Sequence, residues 1–316
     1  MWSYVAWRLI YVIPTLFGVS IIMFFLLFVA PGDPLATLLP PDATMADREK
    51  LAHSMGLDKP VHIQYVIWLG NAVQGDLGQS FHNNVPVIDE VKSALKNTFI
   101  LAAAAAVLSI TAGAVLGTIA AFNQGRVLDK VASAIAITGL SLPNYWVAIL
   151  LIILFSVTWG VLPAQGMQTI GGAGSGLLDV MKHMVIPVVA LMMISVGIIT
   201  RMMRASVLEV LDREYVTALR GKGLAPYTIV YHVVKNAAPA VITVVGLDFG
   251  YLVGGSILVE SVVNWPGAGG LLNLAIQRRD IMVIQGTVLA LASIFVVLNL
   301  VVDIFNTMID PRIRRT

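Results

Sequence analysis

An all-α integral membrane protein with six transmembrane helices is the fold class predicted here, on three observations. Of 316 residues, 58% are hydrophobic and only 12% charged, against roughly 25% charged in a soluble domain, so lipid must be the solvent for much of the surface. The apolar residues gather in runs near the roughly 20 needed to cross a bilayer at about 1.5 Å per residue. The ten-residue alternating segments of a transmembrane barrel are missing from the sequence. The six runs are 9–30, 99–122, 131–159, 184–200, 238–262 and 282–302, the fourth at the lower limit of length. The first is too long for a signal-peptide core and is followed by "FVAPGDP", a poor cleavage site, so it reads as an uncleaved span.

Orientation follows from Lys and Arg in the short loops. With the N-terminus inside, twelve fall on inner segments: Arg8, Arg126, Lys130, Arg201, Arg204, Arg213, Arg220, Lys222, Lys235, Arg312, Arg314 and Arg315. Only Lys182, Arg278 and Arg279 fall in short outer loops. Both termini are therefore expected in the cytoplasm. The basic balance comes from this asymmetry and does not point to nucleic acid. With no cysteine, disulfides and thiolate metal sites are excluded.

The outer segment 31–98 reads as folded. "MADREKLAHSMG" predicts a short helix, with Gly56 past its end and Pro60 beyond. "VHIQYVIWLGNAVQG" predicts another, stopping at Gly75. "PVIDEVKSALKN" opens with Pro86 in the first turn, where the missing N–H costs nothing, and Val87, Val91, Ala94 and Leu95 share one face. These helices are expected on the outer membrane surface.

Two spans carry small residues four apart: Ser109, Gly113, Gly117 and Ala121 in the second, and Gly246, Gly250 and Gly254 in the fifth. Such stripes let helix backbones approach closely. Pro14, Pro143 and Pro187 fall inside spans, where each removes a helix hydrogen bond and permits a kink. "GGAGSG" (171–176) lacks the Lys-Ser/Thr ending of a phosphate-binding loop and reads as a flexible loop tip. The five histidines are scattered, and neither H-E-x-x-H nor G-x-S-x-G is present. Catalysis is not expected; transport is.

The stretch "EYVTALRGKGLAPYT" (214–228) is polar and basic between two long apolar runs. Val207, Leu208, Leu211, Tyr215, Ala218 and Leu219 keep helical spacing from Arg204 onward. Gly221 and Gly223 then permit a sharp turn, and Pro226 opens a second helix leading into the fifth span. An amphipathic helix resting on anionic lipid and a surface closely approached by another protein are both open on these residues.

Several fragments, in order, decide between them: "PGDPL" (31–35), "MGLDKP" (55–60), "GDLGQS" (75–80), "GLSLPNYW" (139–146), "MMRASVLEVL" (202–211), "NWPGAGG" (264–270), "QRRDIMVIQG" (277–286) and "DPRIR" (310–314). Through them the chain resembles, over nearly its whole length, the integral membrane permease subunits of bacterial ATP-binding-cassette importers, in the dipeptide, oligopeptide and nickel branch. The resemblance implies a type I importer permease fold in the inner membrane. It divides the chain into 1–98, a first span with an extracytoplasmic helical segment, and 99–316, a five-helix domain with a coupling loop at about 201–237.

The resemblance also implies partners: a second permease, usually a paralogue, two cytoplasmic ATP-binding subunits, and an extracytoplasmic substrate-binding protein. No cofactor is expected on this chain, with ATP and magnesium held by the partner subunits, so it is not itself an enzyme. "EYVTALRGKGLAPYT" matches the family's coupling loop, whose pattern is Glu-Ala-Ala, three residues, then Gly. Gly223 takes the glycine position and Thr217, Ala218 and Leu219 the first three. Leu219 departs from the small alanine usual there, and Gly221 replaces an alanine. Glu214, Tyr215, Ala218, Arg220, Lys222, Gly223 and Leu224 are the expected contact with the ATPase.

Asp248 lies near the middle of the fifth span, where a charge costs several kcal/mol unless paired or hydrated. Two readings are open: it lines the path and meets a cationic group such as a peptide's α-amino end, or it bonds the partner permease. Ser141, Asn144 and Trp146, around the proline of "SLPNYW", either line the path or satisfy the kinked backbone. Trp265 reads as an interfacial anchor or part of an outer gate. A secondary transporter using Asp248 as a proton or cation site is the rival class. Short peptides are the expected solute, with nickel chelates, opines and glutathione-like compounds as alternatives.

Overall fold

The computed structural model describes residues 2–29, 44–46, 53, 58–169 and 176–309. "PGDPL", "DPRIR", and most of "MADREKLAHSMG" and "GGAGSG" lie outside the described residues. The helices are α1 (Trp2–Val29), α2 (Val61–Val73), α3 (Val87–Phe122), α4 (Val127–Ser141), α5 (Asn144–Leu151) with a π-helical continuation (Ile152–Thr158), α6 (Leu177–Leu211), α7 (Glu214–Gly221), α8 (Pro226–Val262), α9 (Ala268–Arg278) and α10 (Ile281–Ile309). Four are long and apolar enough to cross a membrane: α3, α6, α8 and Ile281–Val302 of α10. The pair α4 and α5, bent by 102° at its break, is a fifth such element, and α1 contains the shorter apolar stretch Ile10–Phe25. The chain forms two compact units, residues 98–265 with 298–309 and residues 2–97 with 266–297.

Three helices differ from the sequence expectation. The outer helix at 87–97 and the second span are one helix of 36 residues, because neither glycine nor proline interrupts the chain around Asn97 and Thr98. Asp89 and Glu90 in its first turn suit the positive end of the helix dipole. Pro86 stands just before that turn, bridged to Gln79, rather than within it. The third run is not a kinked span but two arms. Leu142 is extended (φ −99°, ψ 130°), as the residue before a proline prefers, and Pro143 has no N–H to continue the ladder. The fourth run belongs to a helix of 35 residues, and the inner helix expected from Arg204 to Leu219 is split between its end and α7. Arg213 is extended there (φ −78°, ψ 141°). Pro14 and Pro187 lie inside continuous helices.

In the first unit, α6 is the element the others pack around. A Cβ on Gly113 would stand 2.7 Å from the Cβ of Ile199, and one on Gly117 2.6 Å from the Thr200 carbonyl oxygen and the Met203 Cβ. Ser109 and Ala121 are buried on the same face of α3. On the side of α4 the approach is closer still: a Cβ on Gly139 would lie 2.5 Å from the Met193 carbonyl oxygen, and one on Gly197 2.5 Å from that of Ala136. Without a hydrophobic force between helices in lipid, such backbone contact is what dispersion needs. The fifth-span stripe is uneven. A Cβ on Gly246 would stand 3.0 Å from Val302 of α10 and Gly250 is buried, but Gly254 is exposed and a Cβ there meets nothing within 4 Å. Gly254 is therefore not a packing residue within this chain.

Trp265 is also corrected. It is 1% exposed and fully inside the protein, with its backbone N–H donating to the Glu260 carbonyl at 2.9 Å, so it is neither an interfacial anchor nor an exposed gate in this fold.

In the second unit, α1 meets α2 through Phe24, Tyr65 and Trp68, and Ser20 Oγ and Tyr65 Oη share a hydrogen bond of 2.8 Å. Leu77, Val87, Val91, Ala275 and Val283 form its apolar cluster. Asp280, between α9 and α10, accepts hydrogen bonds from the Ser80 hydroxyl at 2.6 Å and from the backbone N–H groups of His82 and Val283 at 3.3 Å, which fastens the 75–86 turn to the start of α10.

The glycine crossings give a direct test. Gly197→Ala places a methyl against a backbone carbonyl that cannot rotate away, and is expected to cost about 1–3 kcal/mol. Gly254→Ala, in open space, is expected to be neutral or slightly stabilising, since alanine favours the helix. Thermal unfolding of the detergent-purified protein separates the two, and equal midpoints would contradict the crossing geometry.

Candidate functional site

The inner segment is built as a short helix hung between two long ones. Only Asp212 and Arg213 separate α6 from α7, and four residues, 222–225, lead on to α8. Aspartate is a poor helix-interior residue, and Arg213 is held outward by an ion pair to Glu209 at 2.8 Å. Glu214 in the first turn of α7 and Arg220 in the last complement the helix dipole.

One face of α7 is inward. Val216 is fully buried, and Leu219 and Leu224 pack with it on a cluster of Ile199, Met203, Val207 and Val210 from α6 and Ile229 and Val233 from α8. This accounts for Leu219, whose bulk fills the seam beneath the helix. It also corrects Leu224, expected on the contact face but half-buried against the chain's own core. The other face presents Glu214, Tyr215, Ala218, Arg220, Lys222 and Gly223, all exposed.

The turn after α7 needs one glycine, not two. Gly223 has φ +74°, a region that costs an L-residue roughly 1–2 kcal/mol. Its N–H donates to the Arg220 carbonyl at 2.9 Å, while that of Lys222 reaches the Ala218 carbonyl at 3.0 Å, and these close the helix end. Gly221 has ordinary helical geometry. Pro226 stands in the first turn of α8, as its sequence position predicts.

About two turns before the end of α6, Arg204 makes a two-pronged ion pair with Asp129 in the first turn of α4: Nε donates to Oδ1 at 2.7 Å and a terminal nitrogen to Oδ2 at 2.9 Å. Asp129 also accepts the Gly125 N–H at 2.9 Å and the Ser133 hydroxyl at 3.4 Å, so both its oxygens are engaged twice. Sequence reasoning missed this pair. Its signal was two opposite charges at the same end of neighbouring apolar runs, of which Arg204 entered only in the charge bias and as the start of the inner amphipathic stretch, and Asp129 not at all. It also missed Glu260, fully buried in α8, whose Oε1 accepts the Ser256 hydroxyl at 3.0 Å.

Asp248 is 6% exposed and faces into the chain's own bundle. Ser195 of α6 is a polar neighbour. Asp248 Oδ1 and Ser195 Oγ are both buried without a closed hydrogen bond among the described residues. Neither earlier reading describes this placement, because a path or a partner subunit would meet an exposed side chain. The Ser141 hydroxyl is committed to the Ile137 carbonyl at 2.8 Å. The Asn144 amide reaches the Gly255 carbonyl at 3.2 Å, and its oxygen accepts the Tyr145 N–H. Asn144 is buried, whereas Ser141 and Trp146 are exposed, Trp146 by 43%. Among the described residues no three His, Cys, Asp or Glu side chains gather as a metal site.

Comparison with known proteins agrees with this architecture. Residues 113–315 match the family described as binding-protein-dependent transport system inner membrane component, and residues 1–102 match the N-terminal part of such membrane components. The chain is 34% identical over 336 residues to the dipeptide transport system permease protein DppB of Escherichia coli K12, covering 99% of each. It is 38% identical over 315 residues to the glutathione transport system permease protein GsiC of Escherichia coli O6:H1, again covering 99% of each. A chain of the MetNI methionine ABC transporter in an inward-facing crystal form shares its fold, with TM-score 0.50 and 22% identity over 71% of this chain and 96% of that one. The chain thus belongs to the binding-protein-dependent transport system inner membrane components, as a multi-pass permease subunit of an ATP-driven importer in the bacterial inner membrane.

Proposed function

We propose that α7 is the coupling helix through which this permease takes its energy from cytoplasmic ATP-binding subunits. The observation that carries the reading is the helix itself: eight residues, amphipathic, held by Val216, Leu219 and Leu224 and displaying a polar face of Glu214, Tyr215, Ala218, Arg220 and Lys222. In this reading the chain has six spans, with α4 and α5 counted as one broken span and α1 as the first. Both termini lie in the cytoplasm, as the charge bias requires. Residues 1–98 form the first span and an extracytoplasmic segment, and 99–316 the transporting domain. ATP and magnesium belong to the partner subunits, and a second permease, a paralogue, encloses the other half of the path. Trp146 faces that path.

The cargo is a short peptide delivered by an extracytoplasmic binding protein. The relatives named for dipeptide and glutathione support this, since both solutes are small peptides with free amino and carboxylate groups.

Gly223→Leu is expected to abolish stimulation of ATP hydrolysis by the loaded binding protein in the reconstituted complex, because the turn is strained and its exposed face is occupied. Unchanged stimulation with intact assembly refutes the coupling assignment. Asp248→Asn is expected to leave peptide uptake in proteoliposomes and complex yield close to those of the parent, since an amide fills the same space and donates to Ser195, a change worth no more than about 1 kcal/mol. A loss of uptake at normal yield restores Asp248 to the path.

A further inference from the structure

We infer that the Asp129–Arg204 pair is a register lock that passes movement of the coupling helix from α6 to α4, and so to the broken arm that carries Trp146. The inference rests on the reading of α7 given above.

The physical problem is how a displacement at α7 reaches the far side of the fold. α7 is joined to α6 by two residues, and α6 runs unbroken from Leu177 to Leu211. A push on α7 therefore moves the whole of α6. The exposed arm α5 packs on α6 directly, and α4, the element before α5 in the chain, makes the more extensive contact with α6, fixed at two points. One is the glycine crossing, where Gly197 meets Ala136 and Gly139 meets Met193. The other is the ion pair. Close packing at a glycine crossing resists separation but supplies no directional bond that fixes one helix along the other. A planar guanidinium held by two carboxylate oxygens does supply one, because a shift of about 1 Å breaks both bonds at once.

The surroundings add to this reading. The turn of α6 that bears Arg204 is pressed on α3, where a Cβ on Gly117 would stand 3.1 Å from the Arg204 backbone nitrogen. Asp129 is fixed in turn by the N–H of Gly125, in the connection between α3 and α4, which has φ +77°. The carboxylate side is 8% exposed and the guanidinium 31%, so the pair is partly buried. Neither group touches the outward face of α7. Both are positioning residues.

The test uses the absence of cysteine from the chain. Ile149→Cys places a single thiol on the exposed face of α5. In the full complex with the second permease and the ATP-binding subunits, its maleimide labelling rate is compared with and without ATP and vanadate. The parent is expected to show a nucleotide-dependent change in rate. Asp129→Asn and Arg204→Gln are each expected to shrink that change, by roughly two- to thirtyfold, while the ATP-binding subunits stay bound and basal hydrolysis persists. The double variant is expected to lose no more than either single one, as for two members of one contact.

An unaltered labelling change in either single variant overturns the inference, as do additive losses. Dissociation of the ATP-binding subunits in both variants assigns the pair to stability alone and overturns it too. Gly223→Leu in the same assay keeps the two readings apart. If it removes the change and Asp129→Asn does not, only the lock fails. If Gly223→Leu leaves the change intact, or the parent shows none, the coupling helix fails with it.

Discussion

Backbone contact at α6 is the constraint on which the rest of the structure depends. In lipid, apolar side chains gain nothing by leaving solvent, so helices hold together only where their atoms come close enough for dispersion and polar bonds. Gly113 and Gly117 bring α3 to one side of α6, and Gly139 and Gly197 bring α4 to the other. The same helix continues past the apolar region, carries Arg204, and ends two residues before α7. One long rigid element therefore contributes the packing of the unit, its ion pair and the attachment of its exposed inner helix.

The sequence made much of this readable, and the physical reasons for the rest are particular. Apolar runs located the long helices because composition alone decides what can live in lipid. The glycine stripe of α3 was visible because its members recur every fourth residue. Gly139 and Gly197 stand alone in their helices, so no periodicity marks them, and they meet only because α4 and α6 cross. The break at Leu142 and Pro143 was legible as a proline and was read as a kink. Its full bend requires Asn144 to find a partner on Gly255, a contact 111 residues away.

The inner helix shows the same division. Its amphipathic spacing and the proline opening α8 were plain in the sequence. Which glycine served the turn was not, since Gly221 and Gly223 differ only in a backbone angle. Leu219 stood out only as a departure from the family's usual alanine until its neighbours were in place, and Leu224 looked like contact surface because what packs beneath it was not visible. Asp248 and Trp265 teach the complementary lesson. A charge in mid-span and a tryptophan at its edge have usual roles, but either is set by what packs against it, and both are turned inward here.

Magnitudes bear on the coupling role proposed for α7. Burying a valine or leucine fully is worth about 1.5–3 kcal/mol, so one buried valine and two half-buried leucines hold the helix by roughly 3–6 kcal/mol. Driving a transporter from one dominant state to the other takes about 5.5 kcal/mol. Those figures are too close for α7 to be pulled from its seat in each cycle without often being lost from it. A helix anchored this weakly transmits force only if its seat travels with it. The two-residue link to α6, the left-handed turn at Gly223 and the shared cluster with α8 meet that requirement: the ends of α6 and α8 and the helix between them form one piece, and under the proposed coupling role the work of the cycle falls on the contacts that this piece makes with α3 and α4.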